Sequence, residues 1–99
     1  MARTPRFHPH FVEDVLRSAE WYETKTIGLG VDFTHRIDRG IEELLRDPER
    51  RSMPHYGFRY WPIHRFPHLI LYDVTAAEIL LFGVMHPSQE PDRWIARRE

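Results

Sequence analysis

The sequence predicts an α+β domain, and three observations carry that prediction. Apolar residues recur three and four apart through two long segments of the first half. They then gather into short aromatic and aliphatic runs in the second half, and prolines and glycines punctuate most of the junctions between segments. The expected order is β-α-α-β-β-β-α, with a helical hairpin packed on one face of a mainly antiparallel sheet.

Arg3 to His8 reads as a short strand, because Pro5 and Pro9 are hostile to a helix interior and Phe7 is available to the core. After Pro9 the period becomes helical. Phe11, Val12, Val15, Leu16, Ala19 and Tyr22 form an apolar stripe with Glu13, Asp14, Arg17 and Glu20 between them, which predicts a helix from about His10 to Thr24. Acidic residues in its first turns suit the positive end of the helix dipole. TKTIGLG then places two glycines within three residues, a stop for one helix and a turn into the next. Val31, Phe33, Ile37, Ile41, Leu44 and Leu45 restart the helical spacing until Asp47-Pro48 ends it. So short a connection makes the two helices antiparallel neighbours.

PERRSMPHYG is a polar loop, and three β-like runs follow it: Tyr56 to Ile63, His68 to Thr75, and Glu78 to Met85. The TAAE link makes the last two an antiparallel hairpin. Pro62 and Pro67 bracket the loop between the first two, where neither removes a hydrogen bond from a central strand. In the tail, Pro91 opens a short helix that contributes Trp94 and Ile95 as apolar contacts and ends on arginines.

At 99 residues and 41% hydrophobic, the chain is expected to be one domain spanning 1–99. The net charge of −1 gives the whole chain no polycationic signature, although Lys and Arg outnumber Asp and Glu only in its second half. Cysteine is absent, which removes disulfides, thiolate metal sites and cysteine nucleophiles and suits a reducing compartment. The amino-terminal residues lack a signal-peptide core, and no run approaches the roughly 18 apolar residues of a membrane span. A soluble, cytoplasmic protein with no membrane contact is expected.

The sequence resembles the RelE/ParE superfamily, the toxin halves of bacterial toxin–antitoxin pairs often described as plasmid-stabilisation proteins. The resemblance runs along nearly the whole chain. FHPHFVEDVLRSAEWYETKTIGLGVDF matches the strand-end His-Pro, the D…A…WYE helix and the GLG…F turn, and LLRDPERR the L…P ending of the second helix. YGFRYWPIHRFPHLILYDV and ILLFGVMHPSQEPDRW match the R…R.FPY.IYY block and the I…V.H…P..W ending. The family implies a small α/β toxin neutralised by an antitoxin that wraps it. RelE-like members cut messenger RNA on the ribosome, whereas ParE-like members inhibit DNA gyrase without being known enzymes.

Metal-free RNA cleavage needs the 2′-hydroxyl deprotonated, the leaving 5′-oxygen protonated and the phosphorane charge met by fixed cations. RelE-like toxins supply an arginine three residues before the strand tyrosine, and the matching position before Tyr72 is Leu69. The RFPHLILY spelling is that of the ParE-like branch. The resemblance therefore implies a gyrase inhibitor rather than a catalyst, with a ParD-like antitoxin, no cofactor, and no sequence-specific DNA binding by the toxin alone. The alternative is a ribosome-dependent endonuclease using His64, Arg65, His68 and His86, of which His86 is the candidate acid or base.

For the inhibitor, a target-binding surface is expected at Arg65, Arg93, Trp94 and Arg97, since tryptophan flanked by arginine is a common interface anchor. Trp94 tucked onto the sheet is the competing reading. Antitoxin contacts are expected near Trp21, Phe33, Ile37 and Trp61. The seven histidines show no zinc-like spacing, so no metal site is expected.

Overall fold

The structure is a computed structural model and describes residues 3–50 and 57–98. Its elements are β1 (Thr4–Phe7), α1 (Phe11–Lys25), α2 (Leu29–Arg46), β2 (Arg59–Pro62), β3 (Leu69–Val74), β4 (Glu78–Met85) and α3 (Asp92–Arg97). The four strands form one sheet in the order β1-β4-β3-β2. β2–β3 and β3–β4 are antiparallel, and β1 joins β4 in parallel, so the helical hairpin carries the chain from β1 to the opposite edge of the sheet and the β2-β3-β4 meander returns it to β1's side.

Side chains alternate across the sheet. Ile70, Tyr72, Ile79 and Leu81 point toward α1 and α2, where they meet Phe11, Phe33, Ile37 and Leu44. Leu71, Phe82 and Met85 point the other way and are covered by Phe58 and Trp94. A bulge sets the phase: Leu71 pairs Gly83 and Tyr72 pairs Leu81, so β4 carries one extra residue at Phe82. The extra residue lets both Leu81 and Val84 face the helices.

The GLG turn has a separate reason for each glycine. Gly28 sits at φ 89, a conformation that favours glycine, and stands at the amino-terminal end of α2. A side chain at Gly30 would run into the carbonyl of Ala19, so the two helices approach as closely as they do only because none is there. Glu23 closes the turn, its carboxylate accepting from the N–H of Gly28 at 2.8 Å and of Gly30 at 2.9 Å. That places a negative charge at the start of α2, where the helix dipole favours it.

Several expectations need correction. Asp14 belongs to the buried side of α1, whereas Val12 and Leu16 are exposed, as is Val31 at the start of α2. The buried face is turned toward Asp14 because β4 and α3, not solvent, meet α1 there. Tyr22 packs on the core as its place in the stripe implies. The run from Tyr56 narrows to β2, with Tyr56 itself outside the described residues. Pro62 is the last residue of β2 on the sheet edge, where a missing N–H is tolerated. Pro91 caps α3 rather than occupying its first turn.

Candidate functional site

The loop HRFPH turns β2 into β3, and its geometry separates the candidate residues. Ile63 N–H donates to His68 O at 3.2 Å, closing the loop. Arg65 adopts φ 73, the only non-glycine residue with positive φ among the described residues, and its guanidinium lies 3.3 Å from Asp32 on α2. Phe66 folds back between Tyr22 and Phe33, with ring centroids 4.8 and 5.1 Å away. The segment is thus a bend anchored by Phe66, with Arg65 displayed at its tip.

His68 is buried against Phe33, 4.9 Å between rings, and its Nδ1 has no hydrogen-bond partner among the described residues. It also meets His86 edge to face at 5.1 Å. Burial first, and the charge of His86 second, pull the His68 imidazole down to about 4, so it is neutral at physiological pH. His86 is fixed by its own turn. Its Nδ1 accepts from the Ser88 N–H at 3.0 Å and contacts Ser88 Oγ at 2.7 Å, which leaves the proton of the neutral ring on Nε2. The two histidines line an open hollow of about 540 Å³ with Arg17, Ser18, Trp21 and Tyr22.

His64 lies elsewhere, in a groove of about 680 Å³ between the outer side of α2 and the end of β2. The four nuclease candidates therefore divide three ways: His68 and His86 in one hollow, His64 in another, and Arg65 paired with Asp32. No group of three or more His, Asp or Glu residues among those described is arranged to hold a metal ion.

The expected target surface is also divided. Arg65 and Arg93 are exposed, but Trp94 is 2% exposed and the Arg97 side chain 8%. Both serve the interior. Asp14, 1% exposed at its side chain, accepts from Arg97 Nη1 at 2.6 Å, Arg97 Nη2 at 2.9 Å, Trp94 Nε1 at 3.0 Å and the Val84 N–H at 3.0 Å. Arg97 Nη1 also donates to Phe82 O at 3.0 Å. β1's pairing with β4 stops at Leu81, so Asp14 and Arg97 satisfy the strand edge that β1 leaves open. Gly83 makes this possible, since a side chain there would collide with Asp14, Arg97 and Trp94.

Of the expected antitoxin contacts, Phe33, Ile37 and Trp61 are core residues with no surface to offer, whereas Trp21 is 57% exposed. Sequence reasoning passed over the exposed Val12, Leu16, Ile27 and Val31. A signal for them was present, since an apolar stripe wider than one packed face must leave some of its members outside.

A helical hairpin across a four-stranded mixed sheet, with a short carboxy-terminal helix on the far face, is the α+β arrangement that the RelE/ParE resemblance implies. The family model described as "ParE toxin of type II toxin-antitoxin system, parDE" matches residues 6–91, and the chain belongs to this family. Among solved structures it is similar to a chain of the "Chromosomal ParDE TA system from P. aeruginosa", with a TM-score of 0.72 over 86% of this chain and 96% of that one. At 16% identity that likeness concerns the fold. No curated protein sequence matches. No helix among the described residues is long and apolar enough to cross a membrane.

Proposed function

We propose that this ParE toxin acts as a non-catalytic inhibitor of DNA gyrase and is neutralised by a ParD-like antitoxin. The observation that carries the non-catalytic reading is the dispersal of the nuclease candidates. Metal-free RNA cleavage needs an acid, a base and a cation converging on one phosphodiester. Here His64 and Arg65 stand apart from the histidine pair, His68 presents a sealed Nδ1, and Leu69 supplies no cation. Gyrase as the target rests on the ParE-like spelling of the RFPHLILY block and on family membership.

The antitoxin would lay an amphipathic helix on the exposed apolar residues of the hairpin, Val12, Leu16 and Val31, with Trp21 beside them. The target would be met by accessible cations, Arg65 at the loop tip and Arg93 on α3. Pulse-labelling of DNA and protein synthesis just after induction of the toxin without antitoxin tests the assignment. Early loss of DNA synthesis, with purified gyrase inhibited in a supercoiling assay, is the expected result. Early loss of translation would overturn it and return His68 and His86 to a ribosome-dependent nuclease.

A further inference from the structure

The groove between α2 and β2 is not absorbed by that reading, because none of its charged residues serves the core. Arg36, Arg39, Glu43, Arg46 and Arg50 follow one another at spacings of three and four, so they form a single row down the outer side of α2 and its exit turn. His64 and Pro62 form the opposite wall. Four guanidinium groups face two carboxylates in the groove, Glu43 and Asp47. Arg36 and Arg46 lie 3.7 and 3.9 Å from Asp32 and Glu42, longer than hydrogen bonds, and Arg39 and Arg50 form no ion pair among the described residues. The groove thus carries a net positive charge on a protein whose overall charge is −1.

We infer that this groove docks the phosphodiester backbone of duplex DNA without reading its sequence. Three observations select that occupant. The helical part of the row is rigid and linear: Arg36 to Arg46 rises about 15 Å, and Arg50 follows on the exit turn. The Arg36/Arg39 pair and Arg46, about 13 Å apart along the helix, match about four phosphate steps of one DNA strand. Next, no exposed Phe, Tyr or Trp among the described residues lines the groove, since Trp61 is 4% exposed, so those residues offer no stacking platform for the bases of a single strand. Finally, β2 ends in Pro62, which has no N–H to donate, so the sheet edge at the groove is poorly suited to an added acidic peptide strand. Planar guanidinium groups in a row suit phosphate oxygens through paired hydrogen bonds. The inference stands on the groove alone, whether or not gyrase is the target.

The test is fluorescence anisotropy of a labelled 20-base-pair duplex titrated with the full-length toxin across a range of salt concentrations. Binding is expected, with log K falling against log salt at a slope of about −2 to −4, as for two to four neutralised phosphates. Arg39→Glu/Arg50→Glu should weaken it at least tenfold and flatten the slope, and Arg6→Glu, on the distant β1, should change it less than threefold. A thermal melt of each variant confirms that it is folded. Absence of duplex binding at low salt, or equal loss from Arg6→Glu and the groove variant, overturns the inference. Tighter binding of single-stranded RNA or of polyglutamate than of the duplex overturns the choice of occupant.

Discussion

Replacing Asp14 by alanine removes one carboxylate that serves three elements at once: α1, which carries it, β4 through the Val84 N–H, and α3 through Trp94 and Arg97. The cost exceeds that of a surface ion pair because the Arg97 guanidinium, 8% exposed, would stay buried without its counter-charge. Breaking a buried pair from one side costs about 3–5 kcal/mol. A domain of this size has about 5–15 kcal/mol in all. At about 4–8 °C per kcal/mol, the melting temperature should fall by at least about 12 °C. Circular dichroism melts of the purified toxin at pH 7 measure this directly. Adding Arg97→Met removes the stranded charge, so Asp14→Ala/Arg97→Met should be more stable than Asp14→Ala by about 1 kcal/mol or more. A loss below about 1 kcal/mol in Asp14→Ala, or a double variant less stable than the single, would refute the claim that this network holds α3 on the sheet.

The other predictions concern single groups. His68 has a folded pKa of about 4 against an ordinary 6.5, so the unfolded chain binds its proton first and stability falls as pH drops through that window. Between pH 7.5 and 5 the loss attributable to His68 should be about 2 kcal/mol in urea denaturation, and His68→Gln should abolish that part; an unchanged pH dependence would sink the assignment. Gly83→Ala should destabilise by about 2 kcal/mol or more, because its methyl meets Asp14, Arg97 and Trp94, and a melt within 2 °C of the parent would show that α3 yields. Tyr72→Phe removes the hydroxyl that donates to Pro48 O at 2.7 Å and should cost about 1 kcal/mol in the same assay. Arg65→Gly relieves a positive φ while losing an exposed ion pair, so stability should stay within about 1 kcal/mol. Loss of toxicity in that folded variant would then report target contact, and full toxicity would remove Arg65 from the target surface.

Regular elements were legible in the sequence because each imposes a period. The hairpin helices and the strand Glu78–Met85 follow from spacing alone, and the last has the boundaries expected of it. The bulge at Phe82 was not legible, because an extra residue in a continuous apolar run leaves no mark in composition. Asp14 was misjudged for a related reason. A carboxylate at a helical position between apolar neighbours reads as solvent-facing, and only the end of β1 at Phe7, which bares the edge of β4, gives it something to accept from. Trp94 and Arg97 share that cause: the aromatic–basic composition of an interface anchor is also the composition needed to close an open strand edge around a buried acid. The signal for the candidate surface was therefore compositional, and its meaning depended on contacts between residues about 80 positions apart, as Trp94 and Asp14 are.

This division of labour bears on where a partner can act. The open edge of β4, where α1 and α3 meet from opposite faces of the sheet, is committed to holding the fold together. Asp14, Trp94 and Arg97 satisfy one another, and Arg98 adds an ion pair to Asp73 at 2.6 Å and a cation–π contact to Phe58 at 4.5 Å. Cations used in this way are poor handles for a partner, since recruiting them would first require the buried acid to be abandoned. Elsewhere the chain displays charge and apolar surface that its core does not use: Arg39 on α2 and Arg50 on its exit turn, Arg65 at its strained tip with one exposed ion pair to Asp32, and Val12, Leu16 and Trp21 on α1. A toxin of a toxin–antitoxin pair needs surfaces for its antitoxin that are not required for its own fold. The open face of the hairpin and the arginine groove meet that condition, and substitutions there should separate activity from stability where substitutions around Asp14 cannot.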